Sequence, residues 1–429
     1  MTAEDPPVVG EAPPRAWSSK LVILGPGLVL AGVGVGAGDM VTGLAGGAEF
    51  GMALAWAIAV GAVVKWAVTE GIGRWYLATG QTPVRGIHSL GRVASTYFVV
   101  YLAILGFVFG GAVMSATGLS LTVMFPVLPV SGWAVVVGTA GFLIVFIGRY
   151  KVFELVMKIL VGLMFVGVVG AAALTLPSFV DIVSGFVPTL PSGGSFLYAL
   201  GIVGGVGATI TLAAYGYWLR EKGWRGAGWI GIMRVDLAVG YVLTFIFVFA
   251  MMVIGTEFLF GADRGIDGTE GLGPLANDFG ERFGSVARWL FLVGFFSTTF
   301  SSVVGAWNGL SFLFADYVRL IRGVPDEQAE EHTKITSPAF RAFLVWVAFP
   351  PMLLLLFDQP VFLVIVYAAL GALAMPFLVI VLLFLLNSKA KVDAAYRNRL
   401  FSNILYGAIL LMFVVLGVNE IIGLFTGDT

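Results

Sequence analysis

The chain has 429 residues, 59% of them hydrophobic and only 11% charged, with 58 glycines, no cysteine and a formal net charge of −1. A soluble protein carries roughly twice that charged fraction, so the mean hydropathy of +0.98 points to a polytopic membrane protein. The near-zero charge gives no hint of a nucleic-acid partner, and the lack of cysteine excludes disulfides and thiolate metal sites.

Residues 1–20 are polar and proline-rich, with no small-residue cleavage site after a short apolar core. A cytoplasmic tail is expected there rather than a cleaved signal peptide. Beyond it, apolar stretches long enough to cross a ~30 Å hydrocarbon core recur about eleven times. They cover roughly 22–44, 49–77, 93–121, 131–147, 152–175, 195–219, 230–256, 284–315, 339–357, 360–387 and 400–425. Proline interrupts the ninth at Phe349-Pro350-Pro351.

The first stretch contains Gly32-Val33-Gly34-Val35-Gly36-Ala37-Gly38-Asp39, and the sixth contains Gly201-Ile202-Val203-Gly204-Gly205-Val206-Gly207-Ala208-Thr209-Ile210-Thr211. Each glycine weakens a helix by about 1 kcal/mol relative to alanine, and unwound backbone survives in lipid only where protein buries it or it lines a cavity. A matched pair of such breaks points to the binding site of a secondary transporter. The run superficially resembles a dinucleotide fingerprint, but the strand and soluble βαβ unit which that motif needs are missing.

Asp39 is the sharpest single residue, because a carboxylate at membrane depth usually faces a cavity or an ion path. Its alternative role is to N-cap a half-helix starting at Met40. Thr209 and Thr211 could offer hard oxygen ligands beside carbonyls freed by unwinding, or bond back to the preceding turn. Glu70 and Arg74 lie four residues apart near the inner end of the second span, with Lys65 above them, and Glu154 and Lys158 repeat the spacing in the fifth. Such pairs are expected to stabilise their own helices. Asp236, near Arg234, reads as structural. His88 and His332 fall in loops with nothing to pair them into a metal site. Tyr215, Tyr217 and Trp218 read as interfacial anchors.

Lysine and arginine concentrate in alternate loops, at Arg15, Lys20, Arg85, Arg92, Arg149, Lys151, Arg220, Lys222, Arg225, Arg319, Arg322, Lys334, Lys389, Lys391, Arg397 and Arg399. The opposite set has almost none, and its longest member, about 257–283, is acidic. This bias places the N-terminus in the cytoplasm and the C-terminus outside. An odd span count with breaks in the first and sixth suggests two five-helix units of inverted topology, about 21–175 and 195–387, plus an extra helix at about 400–425 within one domain, 21–429.

The order of short motifs resembles the Nramp family of divalent-metal transporters. Gly25-Pro26-Gly27 matches that family's GPG opening, and Gly36-Ala37-Gly38-Asp39 stands where its DPGN motif falls, with Thr42 and Gly47-Ala48 in register. Ala78-Thr79-Gly80, Arg149-Tyr150-Lys151 with Glu154, Ala199-Leu200-Gly201-Ile202-Val203, Gly207-Ala208-Thr209-Ile210, Phe296-Ser297 through Ser301-Ser302, Met375-Pro376-Phe377 and Asn387-Ser388-Lys389 continue the likeness. The helix-six match takes Gly204-Gly205-Val206 as an insertion.

The resemblance implies a LeuT-like fold, all-α with a 5+5 inverted repeat, in the cell membrane. It also locates departures at the metal site. The family's metal-binding aspartate corresponds to Gly36 and its asparagine to Asp39. The soft methionine ligand corresponds to Thr211, the nearby histidine to Ala213, a carbonyl ligand to Ala208, and a second histidine to Trp218. The third span, 93–121, has no Asp or Glu where the family commonly has acids on its proton route.

The expected binding residues are therefore Asp39, Gly36, Val33, Thr42, Ala208, Thr209 and Thr211, with Asp39 and Thr211 as metal ligands. Oxygen ligands favour hard cations such as Mg²⁺ or Mn²⁺ over softer metals, and the missing acids and histidines put proton coupling in doubt. The alternative substrate is a small organic solute such as an amino acid or amine, held by freed N–H groups and Asp39. No cofactor, nucleic acid or enzymatic activity is expected, and the working unit is expected to be a monomer.

Overall fold

The computed structural model describes residues 25–426 apart from 148–149, 192–194, 208, 262–267, 358–362, 364–365, 368–369 and 372–373. Every regular element among the described residues is helical, as hydrocarbon demands of a backbone that must satisfy its own polar groups. Eight of these helices are long and apolar enough to cross a membrane, or nine if a bent pair at the start counts as one span. The expected tail at 1–20, and Arg149, lie outside the described residues.

The bent pair is α1 (Pro26–Gly34) and α2 (Ala37–Phe50), whose axes differ by 64°. Pro26 opens α1, where its missing N–H costs nothing because the first helical turn leaves N–H groups unpaired. Val35 and Gly36 then run extended before α2 resumes. The first span was expected to end near residue 44; α2 instead continues to Phe50, and Gly51, at φ +57, ends it.

The chain continues through α3 (Ala55–Thr79), α4 (Arg92–Met124), α5 (Val130–Ile147) and α6 (Tyr150–Ala173). The second break separates α7 (Ser195–Gly205) from a 3-10 turn at Ile210–Ala214 that leads into α8 (Tyr215–Glu221). The break is shorter than the glycine run that signals it, because Gly201, Gly204 and Gly205 remain helical.

Next come α9 (Ile230–Phe258), α10 (Gly268–Phe283) and α11 (Ser285–Ile321). The acidic loop expected at 257–283 thus folds largely into α10, which buries Leu272, Leu275, Ala276 and Phe279 on one face. After α12 (Pro338–Ala348), Pro350 and Pro351 turn the backbone into a 3-10 segment, Pro350–Phe357. The described part of the chain ends with α13 (Ala374–Asn387) and α14 (Leu400–Thr426).

The longest helix, α11, is the central column, with 78% of its most apolar stretch buried. Alpha-carbons come close where glycines face each other's helices. A β-carbon on Gly47 of α2 would collide with the Met252 carbonyl oxygen of α9, and one on Gly255 with the Leu44 carbonyl oxygen. Small residues thus let α2 lie directly on α9, the mode of packing that helices in lipid favour.

Candidate functional site

A broken helix leaves unpaired carbonyls at the end of its first half and unpaired N–H groups at the start of its second. At the end of α1, hydroxyls from α11 take up the carbonyls. Ser301 Oγ donates to Gly32 O at 2.7 Å, and Ser302 Oγ lies 3.3 Å from both Val33 O and Val35 O. The single Ser302 proton is shared among the carbonyls of Val33, Val35 and Thr298, so the Val33 carbonyl, expected as a ligand, is partly taken up. A β-carbon on Gly36 would lie 2.8 Å from Ser302 Oγ, so the serine also accounts for the bare backbone there.

At the start of α2 the unpaired N–H groups meet Asp39, which is 4% exposed. The half-helix begins at Ala37, three residues before the expected start at Met40, so Asp39 sits inside the first turn rather than at the N-cap. Its Oδ2 accepts from Gly36 N–H at 3.1 Å, a favourable place for a carboxylate. Its other oxygen, Oδ1, accepts from Gly207 N–H at 2.6 Å. One side chain therefore ties the first break to the second across 168 residues of sequence.

Gly207 holds φ +79, a conformation that disfavours any β-carbon. Its carbonyl faces the other way and lies 3.4 Å from Lys65 Nζ. Lys65, in the middle of α3, is 0% exposed. Gly207 thus contacts a buried anion through its N–H and a buried cation through its C=O. In the sequence Lys65 stands beside the Glu70–Arg74 pair, although the rule that singles out Asp39 applies to it equally.

Beside this pair is a small cavity. Thr209, Thr211 and Tyr367 give it hydroxyls; Val33, Ile210, Leu105, Phe109 and Leu310 give it apolar walls. The Tyr367 ring packs edge-on against Phe109 with centroids 4.8 Å apart. Thr42 is spent locally, its hydroxyl donating to Gly38 O at 2.7 Å. Ala208 lies outside the described residues. Of the expected residues, then, Asp39 and Gly36 share one hydrogen bond, while Val33, Thr209 and Thr211 line the adjoining cavity. Among the described residues, no three His, Cys, Asp or Glu side chains cluster as a metal site.

The charges expected to serve their own helices do so, and they also clamp other helices. Glu70 meets Arg74 at 3.1 Å and also Arg234 of α9 at 2.8 Å. Glu154 meets Lys158 at 2.7 Å and Lys222 at 2.6 Å. Asp236 accepts from Gly25 N–H, Gly27 N–H and Tyr215 hydroxyl at 3.1, 2.6 and 2.9 Å, capping α1 from α9. Tyr215, Tyr217 and Trp218 are fully buried rather than interfacial. Tyr217 donates to Asp316 at 2.5 Å and Trp218 to Asn308 at 3.0 Å.

The chain matches the family profile described as natural resistance-associated macrophage protein-like, Nramp, over residues 27–423. It is 24% identical over 437 aligned positions to a Staphylococcus saprophyticus divalent metal cation transporter, MntH, covering 95% of this chain and 94% of that protein. It is 23% identical to an uncharacterized Pasteurella multocida protein, covering 72% and 73%. Among solved structures, a mutant of the Eremococcus coleocola manganese transporter superposes with a TM-score of 0.78 at 15% identity, over 98% of this chain and 91% of that one. A nucleobase-cation-symport-1 family transporter in a closed conformation with bromovinylhydantoin bound gives a TM-score of 0.57 at 13% identity, over 93% and 91%. The fold is LeuT-like, and the chain belongs to the Nramp family.

Proposed function

We propose that the protein is a multi-pass secondary transporter of divalent metal cations, with hard cations such as Mg²⁺ or Mn²⁺ favoured. The observation that carries the reading is the junction of the two helix breaks on one buried carboxylate, Asp39. Family membership and the likeness to MntH along 95% of the chain support divalent cations as cargo. Asp39, the hydroxyls of Thr209 and Thr211 and nearby carbonyls are oxygen donors, which hard cations prefer. Cargo would exchange sides by alternating access of the half-helices around this point. The two inverted repeats with one extra helix, a cytoplasmic N-terminus, an outside C-terminus and a monomeric unit in the cell membrane belong to the same reading. Helix α4 has no Asp or Glu between residues 93 and 121, which argues against proton coupling through that helix.

Uptake of Mn²⁺ and Mg²⁺ into proteoliposomes holding the purified chain, with internal pH followed in parallel, tests this. Uptake well above that of empty vesicles, without acidification, is expected. A second reading, transport of a small organic solute, is favoured by one observation: the cavity beside Asp39 pairs apolar walls with hydroxyls. Uptake or thermal stabilisation by an amino acid or amine, with no response to either metal, would select it.

A further inference from the structure

The serine hydroxyls that meet the end of α1 face more acceptors than they can serve. Ser301 Oγ lies 2.7 Å from Gly32 O and 2.8 Å from Thr298 O. Ser302 Oγ lies 3.3 Å from Val33 O, 3.3 Å from Val35 O and 3.4 Å from Thr298 O. A serine has one proton to donate, so two protons meet four carbonyl oxygens. If both serines bond back to Thr298 in their own helix, the ordinary habit of a mid-helix serine, the α1 carbonyls receive no hydroxyl proton at all. Those carbonyls stand at the C-terminal end of a half-helix, the negative end of its dipole. The N–H that would serve Gly32 O in an unbroken helix, that of Gly36, is turned to Asp39 Oδ2.

Four carbonyl and two hydroxyl oxygens make the donor set of a hard cation. The spacing agrees with one. Neighbouring oxygens in an octahedron around an ion held at about 2.4 Å lie about 3.4 Å apart, and those around Ser302 lie 3.3–3.4 Å from it. Mg²⁺, held at about 2.0 Å, needs neighbours about 2.9 Å apart. None of the six donors is charged, and both serines are buried, at 0% and 1% exposure. Burying a charge without a counter-charge is costly, and the cost rises steeply from one charge to two. Sodium, close to calcium in size, brings only one.

We propose that these six oxygens form a site for a monovalent cation of sodium's size, separate from the cargo site at Asp39, and that its occupant is the coupling ion. The coupling role rests on the reading of the chain as a secondary transporter. An ion there draws the end of α1 onto α11 and fixes the break that presents Gly36 N–H to Asp39. It prepares the carboxylate without touching it. It also supplies a driving gradient to a chain whose α4 has no Asp or Glu between residues 93 and 121.

The test is a thermal melt of the purified full chain in sodium, potassium or N-methyl-D-glucamine chloride at equal ionic strength. Mn²⁺ affinity by titration calorimetry and Mn²⁺ uptake into proteoliposomes are measured in the same salts. Sodium alone is expected to raise the wild-type melting midpoint saturably, since the larger potassium ion would spread the oxygens. It should also tighten Mn²⁺ binding about fivefold or more, the low end of coupling between two sites. S301A/S302A should lose both effects; if it does not fold, each single variant carries the same expectation. T299V removes a hydroxyl that bonds back to Phe295 O and Phe296 O of its own helix, and it should keep both effects. A wild-type midpoint indifferent to sodium, or a sodium shift that S301A/S302A retains, overturns the site; if that wild type still takes up Mn²⁺, the transport reading survives. A shift lost in S301A/S302A, with Mn²⁺ affinity unmoved by sodium, overturns the coupling role. The same lost shift without Mn²⁺ uptake in any salt overturns the transport reading and leaves the site standing.

Discussion

At the lysine- and arginine-rich end of the bundle, buried carboxylates are held several times over. Glu70 meets two guanidinium groups, and Asp316 meets Arg319 at 2.7 Å as well as the hydroxyls of Thr82 and Tyr217, both at 2.5 Å. At the helix breaks, Asp39 has two backbone N–H groups, and the buried Lys65 reaches the carbonyl of Gly207 beside it. The first arrangement survives the loss of a partner; the second changes character if either charge is removed. Redundant contacts suit a region that must hold helices together, and sparse ones suit a region where half-helices must move.

The largest expected effect follows from breaking the redundant end at its most buried point. Asp316→Ala leaves Arg319, Thr82 and Tyr217 without their shared acceptor, and breaking a buried pair costs about 3–5 kcal/mol. A melt of the detergent-solubilised protein should show a marked loss of thermal stability. Gly207→Ala attacks the sparse end through the backbone, since φ +79 costs an L-residue about 1–2 kcal/mol. Its added carbon would lie 3.4 Å from the Tyr241 ring, so uptake should fall more than stability. Ser302→Ala removes the donor to Val33 and Val35 and should cost about 1 kcal/mol. Its uptake deficit separates a role at the break from mere packing. The smallest effect belongs to Glu330→Gln, which breaks a solvent-exposed pair with Arg225; below about 1 kcal/mol is expected in the same melt.

Much of the fold was legible because hydrophobic spans, glycine runs and prolines act locally. The glycine runs gave the positions of both breaks, and Pro350-Pro351 the change of helix in the ninth span. What sequence could not give was direction around a helix. Tyr215, Tyr217 and Trp218 sit near a span end, where aromatics commonly anchor at the interface, yet their partners Asp236, Asp316 and Asn308 are 21, 99 and 90 residues away and bury them. Lys65 read as a neighbour of Glu70, while the carbonyl it faces is 142 residues on. Ser301 and Ser302 read only as part of a motif; that they serve carbonyls of α1 follows from where α11 runs. Asp39 was found by its charge alone, and its bond to Gly207 explains why the two glycine runs matter together.

The most direct measurement is initial-rate Mn²⁺ uptake by proteoliposomes carrying Asp39→Asn against the wild type, with both proteins first checked for the same monodispersity and melting behaviour. A folded Asp39→Asn protein should lose at least tenfold in uptake, because the cargo loses its only charged ligand in the proposed site. Uptake unchanged in a folded Asp39→Asn protein would contradict the assignment of transport to the junction of the two breaks.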